Sequence, residues 1–244
     1  MSFAGRRYWL VGGSEGLGLA LAQKLRAEGA DLLISARDAD RLHSLCADLG
    51  ATALPMDVAD ETSVSHAAAA AGMVDGVVIL AAVYWPMAAQ SVDPLRLAAM
   101  CDVNLTGTAR VIGATLPGMI ARGSGHLVLT GSLAGYRGLP GAMGYAASKA
   151  GVIGMAESLY ADLRGSGIKV QIANPGFIAT RLTAQNRFAM PFLMTPEKAA
   201  DHMLRLMRSN RFKSSFPAPF SWLFRFGQAL PDWLWYRLFP RADT

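Results

Sequence analysis

Short apolar runs are the feature that most constrains the fold of this 244-residue chain. They lack the polar alternation of a half-exposed strand, and segments with apolar residues at helical spacing separate them. Strands that are apolar on both faces fit a parallel sheet covered by helices on each side. We therefore predict a doubly wound, Rossmann-type α/β domain. The predicted strands are Tyr8–Val11, Leu32–Ser35, Ala53–Met56, Val74–Ala81, Leu127–Leu129 and Lys169–Ala173.

Helical spacing fills the intervals between these strands. The clearest start signal is Thr195-Pro196-Glu197, because threonine suits the N-cap, proline the first turn and glutamate the positive end of the helix dipole. The predicted helices are Leu17–Leu25, Asp38–Leu49, Glu61–Ala71, Pro94–Arg122 with one break, Tyr145–Leu163 and a helix after Thr195.

Composition and charge exclude several classes of protein. Hydrophobic residues make up 52% of the chain and charged residues 17%, which favours a large core over disorder. The net charge of +5 lies in the tail, because seven basic and two acidic residues follow from Met203 onward and the remainder is balanced. A nucleic-acid binder usually has a basic face on its main domain, so we expect no nucleic-acid partner.

Other sequence signals concern redox state, metals and membranes. Cys46 and Cys101 are far apart and fit reduced thiols in the cytoplasm. The four histidines have no metal-ligand spacing, so we expect no metal site. No basic-then-apolar leader and no long uncharged apolar run is present, so we expect neither a signal peptide nor a membrane span.

A glycine-rich turn joins the first strand to the first helix in LVGGSEGLGLALA, Leu10 to Ala22. Gly12 permits a tight turn, Gly16 lets a pyrophosphate approach the backbone, and Gly18 lets the helix pack close to the sheet. A glycine turn without a ligand is the alternative, but the strand–turn–helix context favours a dinucleotide.

The end of the second strand distinguishes the two nicotinamide dinucleotides. An acid there would bind the ribose 2′-hydroxyl, whereas Ala36 followed by Arg37 suits a 2′-phosphate. We therefore expect NADP(H). Two observations leave an alternative open: Glu15 lies close to the phosphates, and Arg37 could be an ordinary solvated arginine.

Tyr145 precedes Lys149 by four residues in GYAASKAGVIG, so a helix would place both on one face. A free tyrosine titrates near ~10. A neighbouring ammonium stabilises the phenolate and lowers this pKa, so the pair could exchange a proton with a carbonyl or alcohol. Taken alone, the spacing fits an ordinary helix surface better than a catalytic pair.

Further polar residues give the pair its context. Asn104 lies in DVNLTG, Ser132 in LTGSLAG after a strand end, and the stretch NPGFIAT begins at Asn174. With the glycine turn and Asp57, this order and spacing resemble the short-chain dehydrogenase/reductase family over residues 5 to 210. The resemblance implies an oxidoreductase that transfers a hydride between nicotinamide and a carbonyl compound or alcohol.

The resemblance also implies a role for each matching residue. Tyr145 would exchange the proton, Lys149 would hold the nicotinamide ribose, Ser132 would bind the substrate oxygen, and Asn104 would position a water. Asp57 and Val58 would meet the adenine. The implied cofactor-binding residues are Gly12, Ser14, Gly16, Leu17, Gly18, Arg37, Asp57, Val58, Ala81, Tyr145, Lys149, Pro175, Gly176, Ile178 and Thr180.

Two positions depart from the family pattern. Val11 replaces the usual threonine before Gly12, and Ile79-Leu80-Ala81-Ala82 replaces the usual Asn-Asn-Ala-Gly. The second change removes side chains that support the sheet and line the cofactor path. It is the one feature that favours the alternative of a non-catalytic, dinucleotide-binding regulator.

The substrate side is apolar in sequence. The segments VYWPMA (83–88) and RFAMPFLM (187–194) suggest a hydrophobic ketone, aldehyde or secondary alcohol, although core packing or a subunit contact would also explain them. We expect a cytoplasmic homo-oligomer in which residues 1–211 form the dinucleotide-binding catalytic domain.

Residues 212–244 form an aromatic, basic tail. Phe212–Phe216 is predicted to add a last strand, and Trp222–Leu230 and Trp233–Phe239 are predicted to be short amphipathic helices. Tryptophans beside arginines suit a membrane interface. A flap over the substrate pocket and a subunit contact are the alternatives.

Overall fold

In the computed structural model, which describes residues 2–186 and 188–239, seven parallel strands form one sheet in the order β3-β2-β1-β4-β5-β6-β7. Helices cover both faces, which confirms the doubly wound α/β prediction. The strands are β1 Arg7–Val11, β2 Asp31–Ser35, β3 Thr52–Ala53, β4 Gly76–Ile79, β5 Gly125–Thr130, β6 Ile168–Pro175 and β7 Lys213–Phe216.

Two apolar layers hold the helices to the sheet. Phe3, Leu10 and Met203 belong to one layer, and Trp9, Val77 and Leu127 belong to the other. The helices are α1 Gly16–Ala27, α2 Ala39–Leu49, α3 Glu61–Ala71, α4 Pro94–Cys101, α5 Gly107–Arg122, α6 Met143–Asp162, α7 Pro196–Arg208, α8 Ala218–Gly227 and α9 Asp232–Leu238.

The strand order reverses between β1 and β4. From β1 the chain builds outward through β2 and β3, and then returns to add β4 on the other side. The connections leave these two strands in opposite directions, which opens a crevice at their carboxyl ends. This crevice is where a doubly wound sheet binds its ligand.

The predicted break in the long helix is confirmed. A turn of π-helix, Asp102–Thr106, separates α4 from α5 and carries the buried Asn104. Single π-turns of this kind frequently occur at functional sites. The third strand is shorter than predicted, because only Thr52 and Ala53 pair in register with β2.

The tail contains the predicted strand and both predicted helices. β7 pairs with β6 from Ile172↔Lys213 to Pro175↔Phe216. α8 begins at Ala218, four residues earlier than predicted, and Pro219 lies in its first turn. Backbone N–H groups in the first turn of a helix have no partner within the helix, so proline, which has no N–H, fits there. Pro217 and Pro219 therefore mark the start of α8 and do not interrupt it.

The amino edge of the sheet contains a buried polar network. The Tyr8 hydroxyl lies 2.8 Å from His126 Nδ1, and His126 Nε2 lies 2.9 Å from Gln171 Oε1. Burial lowers the pKa of His126 to about 4, so this imidazole is neutral at physiological pH. The network lies at the opposite edge from the crevice and stabilises the fold.

Neither a metal-binding cluster nor a membrane-spanning helix is found among the described residues. Within residues 2–186 and 188–239, no group of three or more His, Cys, Asp or Glu side chains is arranged to hold a metal ion. In the same part of the chain, no helix is long and apolar enough to cross a membrane.

Candidate active site

A cleft of about 1160 Å³ runs along the carboxyl ends of the strands. It extends from the glycine turn, past the ends of β2 and β4, to the start of α6 and the tail helices. Ligand pockets commonly measure roughly 300–1,000 Å³, so this cleft has room for a cofactor and a substrate together.

The cleft brings together nearly all of the site residues predicted from sequence. Asn104 is the exception, because it lies behind the cleft wall. The predicted residues that line the cleft are Gly12, Ser14, Gly16, Leu17, Gly18, Arg37, Asp57, Val58, Ala81, Ser132, Tyr145, Lys149, Pro175, Gly176, Ile178 and Thr180.

Two glycines of the turn stand where a side chain has no room. Gly12 has φ +90°, and a Cβ there would lie 2.5 Å from the Ala81 backbone nitrogen. A Cβ on Gly18 would lie 2.2 Å from the Gly12 carbonyl oxygen, so α1 packs directly on the turn. The turn and the amino end of α1 form a cradle of the kind that binds a pyrophosphate, and the residues present fit a dinucleotide.

The departure at residues 79–82 keeps its main-chain hydrogen bonds. The Leu80 and Ala81 N–H groups donate to the Val11 carbonyl at 2.8 and 2.9 Å. Ile79 is buried in one apolar layer, and Leu80 packs against the other. At the two positions where the resemblance predicts asparagines, Ile79 and Leu80 pack on apolar neighbours and the main-chain hydrogen bonds remain. Leu80, Ala81 and Ala82 still line the cleft.

Arginines surround the end of the cleft next to β2. Arg37 is exposed and makes no ion pair within residues 2–186 and 188–239. Arg41, which sequence reasoning missed although it lies one helical turn further on, also lines the cleft. Its guanidinium pairs with Glu15 at 3.4 Å, and Arg181 pairs with the same carboxylate at 2.7 Å. The Glu15 charge is therefore offset by two arginines.

Lys149 is buried and oriented by the strand beside it. Its Nζ donates to the Thr130 carbonyl at the end of β5, at 2.9 Å. Burial lowers the pKa of Lys149 to about 8, which leaves the ammonium mostly charged at neutral pH. The Thr130 hydroxyl lines the same cleft and has no partner among the described residues.

Tyr145 lies on the cleft-facing side of α6, one turn before Lys149. Burial raises the pKa of Tyr145, and a hydrogen bond with Ser132 lowers it by less. The Lys149 ammonium does not contribute the lowering that was expected from it, and the phenol is protonated at neutral pH. The ring packs edge-on against Tyr84 with 5.0 Å between ring centroids.

Asn104 connects two walls of the site. Its Oδ1 accepts from the Val83 N–H at 2.8 Å, and its Nδ2 donates to the Val83 carbonyl and the Ser148 hydroxyl at 3.0 and 3.1 Å. These bonds fix the loop after β4 against α6, which carries Tyr145. The role of Asn104 in holding a water stays a prediction.

The far wall of the cleft comes from the tail, as the alternative of a flap over the substrate pocket predicted. Phe220 and Phe224, one turn apart on α8, line the cleft together with Leu238 and Phe239. Phe220 and Phe224 also pack with Leu133, the residue after Ser132. Phe220 lies before the predicted start of this helix, so its i,i+4 pairing with Phe224 on one buried face was not anticipated.

The chain is similar in sequence and in fold to known proteins. The short chain dehydrogenase family model matches residues 8–190. An uncharacterized oxidoreductase of Myxococcus xanthus is 37% identical over 232 residues, which cover 91% of this chain and 92% of that protein. A solved short chain dehydrogenase/reductase family protein is 32% identical with a TM-score of 0.82, covering 88% of this chain and 95% of that one. A 3-oxoacyl-[acyl-carrier protein] reductase from Brucella melitensis with bound NAD is 28% identical with a TM-score of 0.78, covering 88% and 90% of the two chains.

Proposed function

Because the chain belongs to the short-chain dehydrogenase family and is an oxidoreductase of that type, we propose that it reduces apolar ketones or aldehydes with NADPH, or oxidises the corresponding alcohols. The observation that supports this most strongly is one continuous cleft. A dinucleotide cradle lies at one end, Ser132, Tyr145 and Lys149 lie in the middle, and aromatic side chains lie at the other end.

The proposed chemistry divides between cofactor and protein. The bound nicotinamide supplies or accepts the hydride. Tyr145 donates its phenolic proton to the substrate oxygen during reduction and takes a proton back during alcohol oxidation. Ser132 holds the substrate oxygen beside that phenol, and the Lys149 ammonium stabilises the phenolate that forms.

The proposed preference for NADP(H) rests on charge. Arg37 and Arg41 line the end of the cleft that would receive the adenosine ribose, and no acidic residue follows β2 directly. Two acids also line this end of the cleft: the Asp38 carboxylate caps α2 by accepting from the Arg41 N–H, and the Glu15 carboxylate is paired with Arg41 and Arg181. The similar reductase from Brucella melitensis is a structure with bound NAD, so this preference is proposed from the arginines of this chain alone.

A screen of ketones, aldehydes and secondary alcohols with each cofactor tests the proposal. We expect NADPH-dependent turnover of apolar carbonyl compounds and at least about tenfold lower kcat/KM with NADH, from the loss of one charged hydrogen bond. Nucleotide absorbance at 340 nm gives the rate. Tight NADPH binding without turnover of any compound would contradict the enzyme assignment and favour the dinucleotide-binding regulator.

Cellular context and assembly are part of the same proposal. Free Cys46 and Cys101 are in keeping with a cytoplasmic protein. Leu95 on α4 and Ile120 on α5 are exposed apolar side chains that a second copy could cover, which supports a homo-oligomer. We take residues 1–211 as the catalytic domain and 212–244 as an extension that completes its pocket.

The tail also supports peripheral contact with an anionic bilayer. Trp222, Phe226, Trp233 and Tyr236 are more than half exposed, whereas Trp235 is buried. Arg225 and Arg237 are exposed on the same two helices. Aromatic side chains enter the interfacial region of a bilayer, and basic side chains are attracted to acidic headgroups.

We expect the protein to sediment with phosphatidylserine-containing vesicles and much less with pure phosphatidylcholine vesicles. Each basic residue near the surface contributes about 1 kcal/mol, which added salt screens. Trp222→Ala with Trp233→Ala should reduce the bound fraction at every salt concentration, and Met73→Ala, an exposed apolar control outside the tail, should not. No sedimentation with phosphatidylserine-containing vesicles at low salt would contradict membrane contact.

A further inference from the structure

The loop between Ser132 and α6 holds the tail through one arginine. The Arg137 side chain is only 13% exposed. Its Nη1 donates to the Gly227 and Leu230 carbonyls, the second at 2.7 Å, and its Nη2 donates to the Asp232 carboxylate. The guanidinium carbon lies 5.1 Å from the centre of the Trp235 ring, a cation–π distance.

The partners of Arg137 fix both tail helices at once. Gly227 is the last residue of α8, and carbonyls at a helix end have no partner within the helix. A cation at that end also stabilises the helix dipole. Asp232 is the first residue of α9, so the same guanidinium sets how the second helix leaves the first.

Two further hydrogen bonds connect residues 218–239 of the tail to the same loop. Trp235 is fully buried, and its Nε1 donates to the Gly138 carbonyl at 3.2 Å. Gln228 Nε2 donates to the Tyr136 carbonyl at 2.9 Å. A Cβ on Gly227 would lie 2.3 Å from the Trp235 ring, so α8 and α9 meet at a contact that has no room for a larger residue.

The loop contacts the tail and also forms part of the catalytic cleft. Leu133, Leu139 and Pro140 line the cleft, whereas Arg137 is not among the lining residues. From the tail, Phe220, Phe224, Leu238 and Phe239 line the cleft. The position of this aromatic wall relative to Ser132 therefore depends on the contacts that Arg137 makes.

We infer that Arg137 is a positioning residue that latches α8 and α9 onto the loop between Ser132 and α6. The tail thereby forms the wall of the cleft that selects the substrate. This inference rests on the proposed carbonyl reduction. The wall is aromatic and lies beyond Ser132 and Tyr145. It therefore favours carbonyl compounds with a long or bulky apolar group, which would fill the space between the reacting carbonyl and the tail.

Arg137→Met tests the latch, because methionine keeps the apolar stem and removes every donor. We expect KM for a long-chain methyl ketone to rise by about tenfold or more, the cost of losing hydrogen bonds from a charged group. For a short methyl ketone, which does not reach the wall, KM and kcat should stay within about threefold. Arg164→Met, an exposed arginine in the turn before β6, is the matched control and should change neither value.

Hydrogen exchange provides a readout that needs no turnover. In Arg137→Met the amides of α8 and α9 should exchange at least about tenfold faster, with β1–β6 unchanged. Arg137→Lys keeps the charge but lacks the planar guanidinium. Its α8 and α9 amides should therefore exchange at rates between those of the wild type and those of Arg137→Met. If the wild type reduces neither ketone, the proposed reaction is wrong and exchange alone decides the latch. The inference would be overturned if the α8 and α9 amides of Arg137→Met exchanged at the wild-type rate. It would also be overturned if they exchanged faster while the ratio of KM for the long ketone to KM for the short ketone stayed at the wild-type value.

Discussion

Replacing Tyr145 with phenylalanine is expected to lower kcat for carbonyl reduction by about 100-fold or more, the usual scale for losing a general acid. The change removes the hydroxyl whose pKa is lowered by the neighbouring Ser132, and it keeps the ring that packs on Tyr84. The Kd of NADPH should stay within about threefold, because the glycine cradle and Lys149 are untouched. Steady-state rates and cofactor fluorescence titration measure the two quantities.

Tyr84→Phe is the matched control, since the same atom is removed from the neighbouring ring. Burial raises the pKa of Tyr84 to about 12. Its hydroxyl is not assigned to proton transfer, so we expect less than about a tenfold loss of kcat. Comparable losses in the two variants, or near-normal turnover of Tyr145→Phe, would show that the assigned proton donor is wrong.

The convergence of the site residues was predictable because the fold dictates it. Ser132, Asp57 and Pro175 follow or end strands of a parallel sheet, and the carboxyl ends of such strands meet at one edge. Tyr145 and Lys149 needed only helical periodicity to lie on one face of α6. The glycine turn was recognisable in the sequence because Gly12 and Gly18 permit backbone contacts that any side chain would block.

The sequence offered a membrane contact, a pocket flap and a subunit contact for the tail but could not choose among them, because the choice depends on contacts between residues about 90 positions apart. Arg137 reaches Gly227 and Leu230 across that separation, and a lone arginine in a loop carries no signal of such partners. The aromatic content of α8 and α9 suggested a buried face and an exposed face. Which tryptophan faces inward was set by packing, and the structure buries Trp235 while leaving Trp222 and Trp233 exposed.

Asn104 illustrates a second limit of sequence reasoning. Its place before α5 was clear from the sequence, but the π-turn that carries it and its two bonds to Val83 were not. Those bonds are made to backbone atoms, which have no sequence signature. Similarly, the apolar residues at 79–82 suggested lost hydrogen bonding, whereas the main-chain bonds to Val11 are present.

Ala36→Asp combined with Arg37→Ala is expected to shift the ratio of the NADH and NADPH dissociation constants by about 100-fold or more toward NADH. Losing a hydrogen bond between charged groups costs about 1.5–3 kcal/mol, which is roughly tenfold to 100-fold in NADPH affinity. The new carboxylate would bind the 2′-hydroxyl of NADH and repel the 2′-phosphate of NADPH. Isothermal titration of each cofactor measures the ratio.

Arg41 provides the comparison that tests whether Arg37 alone binds the 2′-phosphate. Arg41 lines the same end of the cleft, but its guanidinium is paired with Glu15. Arg41→Ala alone should therefore weaken NADPH binding less than Arg37→Ala alone, because a paired cation has less charge to offer a phosphate. If the double variant keeps the ratio of the parent, Arg37 does not discriminate between the cofactors. A shift in Arg41→Ala as large as that in Arg37→Ala would instead assign the 2′-phosphate to both arginines, with Arg181 then left to neutralise Glu15.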